Sequence, residues 1–145
     1  MSARPRPPNL QNLLARGHLK EALPAPGVAE SWFRRAGSAA TGAGLRALDP
    51  HDRFIIAYEG LFSVAMGVLA RHGLRPGDGD GHRAIALQAV LAALKMPPAE
   101  VQRVIRLHDL RNSRIYRSPL PASEADASDA LQALLLILRK ATAAP

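Results

Sequence analysis

The sequence predicts an all-α fold, an antiparallel bundle of about five to six helices. Composition is the first reason. Ala and Leu supply 27 and 21 of the 145 residues, whereas Val, Ile, Thr, Phe, Tyr and Trp together supply only 20, so helix formers far outnumber the residues that strands favour. Punctuation is the second. Clusters of Pro, Gly and Asp divide the chain into segments of helical length, several opened by a recognisable start signal. The length suits one domain, and a chain of this size buries enough surface to hold a core without disulfides or metal.

Pro5, Pro7 and Pro8 mark residues 1–8 as a flexible basic arm, leaving 9–145 as a single helical domain. Asn9 is positioned to cap a first helix running to about Leu23, with Leu10, Leu13 and Leu14 on one side. Pro24-Ala-Pro-Gly27 stops it. A second helix is predicted from Val28 to Leu48, where Gly37, Gly42 and Gly44 imply close helix contact or a local break. Asp49-Pro50-His51-Asp52 is the clearest helix start in the chain: an acidic N-cap, a proline at the first helical position and a carboxylate favourable to the dipole. The helix it opens runs to about His72 and is expected to be central, burying Ile55, Phe62, Ala65, Met66 and Leu69. After Gly77-Asp-Gly-Asp-Gly81, Asp80 can cap a fourth helix, His82 to Lys95. Met96-Pro-Pro98 separates this from a fifth, Pro98 to Tyr116, which Pro119 and Pro121 end. Ser123-Glu-Ala-Asp126 opens the last with a capping-box-like pattern, and Arg139 and Lys140 favour its C-terminal dipole.

The absence of cysteine excludes thiolate catalysis, disulfide scaffolds, zinc fingers and iron–sulfur clusters. The N-terminal residues lack the apolar stretch of a secretory signal, and the longest apolar run, Leu134 to Leu138, falls far short of the ~20 residues that span a bilayer. A cytoplasmic protein without a membrane partner is the expectation. The net charge of +7 permits anionic partners. It does not demand them, because 16 of the 19 basic residues are Arg, a bias that accompanies the Ala excess. The Gly77–Gly81 stretch lacks the acids of a calcium loop and the Gly-Lys-Ser/Thr of a phosphate loop, and reads as a turn. His18, His51, His72, His82 and His108 show no i, i+4 pair, so neither a metal centre nor any cofactor is expected.

The fifth helix is unusual. At ~100° per residue, Arg103, Arg106, Arg111, Arg114 and Arg117 share an arc of roughly 140° that also contains Leu107 and Leu110. Val101, Val104, Ile105 and Ile115 occupy a neighbouring arc expected to face the core. An arginine-framed apolar strip suits a partner surface or a dimer cleft, with Leu107 and Leu110 exposed in a monomer and covered in a dimer. A solvated arginine face with two tolerated leucines is the alternative.

Leu110-Arg-Asn-Ser-Arg-Ile-Tyr-Arg117 resembles the signature of the HEPN superfamily (higher eukaryotes and prokaryotes nucleotide-binding), small antiparallel helical bundles with an Arg-polar-x-x-x-His motif late in the chain. Asp49 to Tyr58, Gly73-Leu-Arg-Pro76, Gly81-His-Arg-Ala84 and Ser123 to Asp126 follow in the order of the family's helices, so the resemblance spans roughly residues 9–142. It implies a homodimer whose basic cleft binds RNA or a nucleotide. The activity implied is that of a toxin-type, metal-independent endoribonuclease or a weakened relative, partnered by a nucleotidyltransferase-like antitoxin. A non-catalytic protein-interaction or regulatory module of a toxin–antitoxin-like system is the alternative. By the resemblance, Arg111 would hold phosphate, Asn112 would position it, and Arg103, Arg106, Arg114 and Arg117 would add nucleic-acid-binding charge. Tyr116 stands where the motif has histidine. A phenol with an ordinary pKa near 10 is a weak base at neutral pH, so Tyr116 is either a contact to base or ribose, a poor acid, or a structural residue. His108, one turn before Arg111, is the candidate replacement imidazole.

Overall fold

The computed structural model describes residues 3–23, 25–79, 81–116 and 120–143, excluding the side chains of 114–116. Among these the chain forms six helices and one short two-stranded ribbon: α1 (Pro8–Ala15), β1 (Leu19–Glu21), α2 (Val28–Ala43), α3 (Pro50–Arg71), β2 (Leu74–Pro76), α4 (His82–Ala93), α5 (Pro98–Tyr116) and α6 (Glu124–Thr142). The all-α helical bundle is as the composition predicts.

α3 is the axis of the bundle, packed against α2, α4, α5, α6 and β2. It is long and apolar enough to cross a membrane by length and composition, yet its apolar surface is mostly buried among the other helices. Phe54, Ala57, Tyr58, Leu61, Val64, Ala65, Val68 and Leu69 are buried, while Ile55, Phe62 and Met66, expected at the centre, are only half-buried. Close approach is made by glycines of α3 rather than those of α2. A Cβ on Gly60 would sit 2.6 Å from Leu134 Cδ2 and 2.9 Å from Ala39 Cβ, and one on Gly67 would sit 2.6 Å from Phe33 Cε1. Gly37 and Gly42 leave α2 unbroken, and Gly44 ends it.

Helix ends show where local chemistry acted. Pro50 occupies the first turn of α3, but Asp49, at the N-cap position, makes no side-chain capping bond. α1 stops at Ala15 rather than Leu23, because Gly17 adopts φ 81° and the Gly17 and His18 amides donate to the Leu14 and Leu13 carbonyls at 3.0 and 2.9 Å, a Schellman ending. The freed segment becomes β1, paired antiparallel to β2 in the register Leu19↔Pro76, Lys20↔Arg75, Glu21↔Leu74. The facing cations of this ribbon would repel. Asp78 lies 2.7 Å from Lys20 Nζ and 3.5 Å from Arg75, and the Lys20 hydrogen bond, with both positive charges, holds its carboxyl below the ordinary range.

Pro7, not Asn9, occupies the N-cap of α1; the Asn9 amide donates instead to the Ala89 carbonyl on α4, 3.0 Å away. Nor is the start of the chain a loose arm through residue 8. Arg4 N–H donates to the Arg71 carbonyl, Arg6 Nε to the His72 carbonyl, and Arg6 pairs with Glu21. These bonds strap residues 3–7 across the end of α3. Asp80, the expected cap of α4, lies outside the described residues; Gly81 stands at that N-cap with φ 78°. At α6 the capping box forms as read: Ser123 Oγ accepts from the Asp126 amide, and the Asp126 carboxylate accepts from the Ser123 amide. Ser123→Ala is expected to cost about 1 kcal/mol of stability, measurable by denaturant unfolding against Ser123→Asp, which should restore most of the loss.

Candidate functional site

α5 sits in the bundle differently from the expectation. Val104 and Leu107 are fully buried, and Leu110 is half-buried against the same core. Leu107, expected to be exposed in a monomer, is thus buried within it and has no surface to give a dimer, whereas Leu110 keeps part of its surface. The inward face of α5 bisects the valine and arginine arcs. Its arginines flank the core, their long stems lying along apolar surface while the guanidiniums reach acidic partners.

Those partners split the arginines into two groups. Arg103 is 2.7 Å from Glu100 and 3.3 Å from Asp129 of α6, and Arg106 hydrogen-bonds to Asp129 as well. Arg111 turns the other way, 3.5 Å from Glu59 of α3 and with its guanidinium 5.3 Å from the Tyr58 ring centroid. The described arginines of α5 thus do not line one cleft: Arg103 and Arg106 are held on the α6 side, Arg111 on the α3–α4 side. Arg117 and the side chains of Arg114 and Tyr116 lie outside the described residues.

Around Arg111 the chain assembles a polar centre. Arg83, in the first turn of α4, reaches both carboxylate oxygens of Glu59 at 3.0 and 3.2 Å, so two guanidiniums share one acid. The Tyr58 hydroxyl, on a ring with no exposed surface, lies 2.7 Å from His108 Nδ1. The Asn112 amide nitrogen lies 3.2 Å from His108 Nε2. An amide N–H donates, so Nε2 accepts it and the ring proton sits on Nδ1, facing the tyrosine oxygen. Burial lowers the His108 pKa below its ordinary 6.5, Asp109 opposes this, and the charges of Arg111 and Arg83 lower it further. Burial raises the Tyr58 phenol above its ordinary value against the same two guanidiniums. The centre therefore holds a neutral imidazole and a protonated phenol near pH 7.

These groups open into a cleft of about 490 Å³ lined by His82, Arg83, His108, Arg111, Asn112 and the glycines Gly79 and Gly81. Gly79 at φ 140° and Gly81 at φ 78° turn the chain at its edge, conformations that L side chains rarely adopt. The structure thus brings together Arg111, Asn112 and the alternative imidazole His108. Sequence reasoning missed Tyr58, Glu59 and Arg83. One signal was available for Glu59: it is the sole acid between Asp52 and Asp78 in an otherwise apolar stretch, and a charge within a buried helix implies a partner. Among the described residues no group of three or more His, Asp or Glu is placed to hold a metal ion. No family model, curated protein or solved structure matches the chain.

The His108 shift has a consequence for stability. Well above pH 6.5 the ring is neutral in folded and unfolded chains alike. Between 6.5 and the lower folded value the unfolded chain binds more protons, so stability falls as the pH drops through this window. The groups facing the ring, Tyr58 from α3, Arg83 from α4, and Asp109, Arg111 and Asn112 from α5, include two cations that oppose its protonation. His72, likewise lowered by burial, adds the same sign. Unfolding by guanidinium chloride should show lower stability at pH 5 than at pH 7, and His108→Gln should shrink the difference. Equal stability of the wild type at both values would contradict this reading.

Proposed function

We propose that the chain is a HEPN-like domain that binds the phosphate of RNA or a nucleotide in the cleft between α4 and α5, and that it cleaves RNA without metal. The observation that carries the proposal is the convergence of Arg83 and Arg111 on one carboxylate at the wall of a cleft that also presents a neutral imidazole. Two guanidiniums against one Glu59 leave an excess of positive charge, and their planar N–H forks match phosphate oxygens. His108 is the residue for proton transfer. Its lowered pKa leaves it unprotonated near pH 7, as a general base requires. In the step proposed, the 2′-hydroxyl displaces the Asn112 amide from His108 Nε2 and gives that nitrogen its proton as its oxygen attacks phosphorus, while Nδ1 keeps its proton facing Tyr58. The 5′-oxygen leaves and takes a proton from water, giving a 2′,3′-cyclic phosphate and a 5′-hydroxyl end. Asn112 orients the imidazole, and Arg111 and Arg83 hold the phosphate as its charge shifts.

Tyr116 need not be the general base in this reading, because His108 occupies the cleft one turn before Arg111. The homodimer and the nucleotidyltransferase-like antitoxin belong to the same proposal by resemblance alone. Light scattering of the full chain measures the first, through a surface other than Leu107.

The test is RNA cleavage by purified protein in chelator, with products scored for cyclic phosphate ends. Wild type should cleave. His108→Ala should lose about 10²–10⁴-fold of the rate, the usual worth of general acid–base help, while RNA binding persists. Binding with no cleavage under any condition would leave a phosphate-binding module and remove the enzyme.

A further inference from the structure

We propose that the hollow between α3 and residues 75–79 is a nucleobase subsite continuous with the phosphate cleft, so that the ligand is read as a nucleotide rather than as bare phosphate. The proposal rests on the phosphate reading above. The hollow holds about 560 Å³ and is lined by Phe62, Met66, Arg75, Pro76, Asp78 and His82, together with Gly77 and Gly79. The hollow is open to solvent, so an occupant would lie against its wall rather than be enclosed. It shares Gly79 and His82 with the phosphate cleft.

Three features suit it to a flat ring. Phe62 and Met66 are four residues apart on α3 and so present one apolar wall; both are only half-buried. His82 is fixed edge-on to Phe62, with ring centroids 6.4 Å apart and planes at 74°, and its Nδ1 lies 3.1 Å from the Gly79 carbonyl oxygen. A carbonyl only accepts, so Nδ1 carries the proton and the ring is oriented. Arg83 joins the two compartments. Its guanidinium lies 4.4 Å from the Phe62 ring centroid while the same group holds Glu59. A base bonded through ribose to a phosphate would therefore meet an aromatic and thioether wall beside the cation that holds its phosphate. At the rim, the Asp78 carboxylate and Arg75 guanidinium offer an acceptor and donors to the polar edge of a base.

An apolar wall, a polar rim and an adjoining pair of cations describe a nucleoside phosphate better than a sugar phosphate. Gly79 and His82 line both compartments. Gly77 approaches the ribbon so closely that a Cβ would sit 2.8 Å from the His18 carbonyl oxygen, which holds this side of the hollow against β1.

Calorimetric titration of the full chain at low salt tests this with inorganic phosphate, ribose 5-phosphate, the four 5′-ribonucleotides and the free nucleosides. At least one nucleotide should bind roughly 5- to 150-fold more tightly than ribose 5-phosphate, the usual worth of stacking one base. Met66→Ala should remove most of that difference and leave ribose 5-phosphate binding unchanged. A second readout is independent of the variant's stability. The Met66 methyl resonance should shift upfield with nucleotide, from the ring current of a stacked base, and stay in place with ribose 5-phosphate. If ribose 5-phosphate binds as well as every nucleotide, the base subsite is wrong while the phosphate reading stands. A nucleoside that binds and moves the Met66 methyl when phosphate does not bind would keep the subsite and overturn the phosphate reading. No binding by any of these ligands would overturn both.

Discussion

Replacing Arg83 and Arg111 together by Gln is expected to weaken RNA binding at least about 100-fold, since each guanidinium supplies charge-assisted hydrogen bonds worth roughly 1.5–3 kcal/mol. It should also flatten the dependence of affinity on salt, because fewer counterions are released. The paired control is Arg103→Gln with Arg106→Gln. It removes the same formal charge from the same protein, but those side chains are occupied by Glu100 and Asp129. Its effect on affinity should stay within about threefold, the scale of exposed ion pairs and long-range charge. A helical wheel of α5 puts Arg103, Arg106 and Arg111 on one basic face and contains no sign of Arg83, which comes from α4. Filter binding across a salt series, with circular dichroism to confirm that each variant is folded, separates the two pairs. Equal losses in both would mean that the whole basic face binds RNA and that the cleft at Arg111 is not the site.

Leu107→Ala is expected to destabilise the monomer by about 2–5 kcal/mol, the usual cost of emptying a fully buried leucine position. Leu110→Ala, at a half-buried position, should cost clearly less. Equilibrium unfolding at two protein concentrations a hundredfold apart distinguishes packing from assembly. A core residue shifts the midpoint equally at both concentrations, whereas a dimer contact makes the shift depend on concentration. If Leu107→Ala leaves monomer stability intact and only changes the apparent mass in light scattering, the placement of α5 described above is wrong.

Much of the architecture was legible because it is written in local chemistry. The start of α3 at Pro50, the start of α5 at Pro98, and the Ser123–Asp126 box all depend on residues within one turn of each other. The end of α1 was equally local. Gly17 is where a helix C-terminus places glycine, and giving it that weight would have stopped the helix before the ribbon. The ribbon itself has no local signal: β1 and β2 are three residues each, and β1 exists because β2, more than fifty residues later, supplies its partner.

The candidate site divides in the same way. Arg111, Asn112 and His108 lie within five residues on one helix, so their association could be read from spacing. Tyr58, Glu59 and Arg83 come from two other helices and join them only through packing.

By itself the sequence determined that the protein is helical, roughly where most helices begin and end, and which helix carries the arginine motif, since propensity, capping and proline geometry act over a few residues. Only the tertiary structure decided which way α5 faces. The wheel offered a valine–isoleucine arc beside an arginine arc holding two leucines, and the helix faces inward between them, with Arg103 and Arg106 on Asp129 of α6 and Arg111 on Glu59 of α3. Between those two anchors Leu107 is carried into the core. Whether a flanking arginine is spent on an internal carboxylate or stands at the wall of a cleft is set by distances between helices, which no periodicity within one helix encodes.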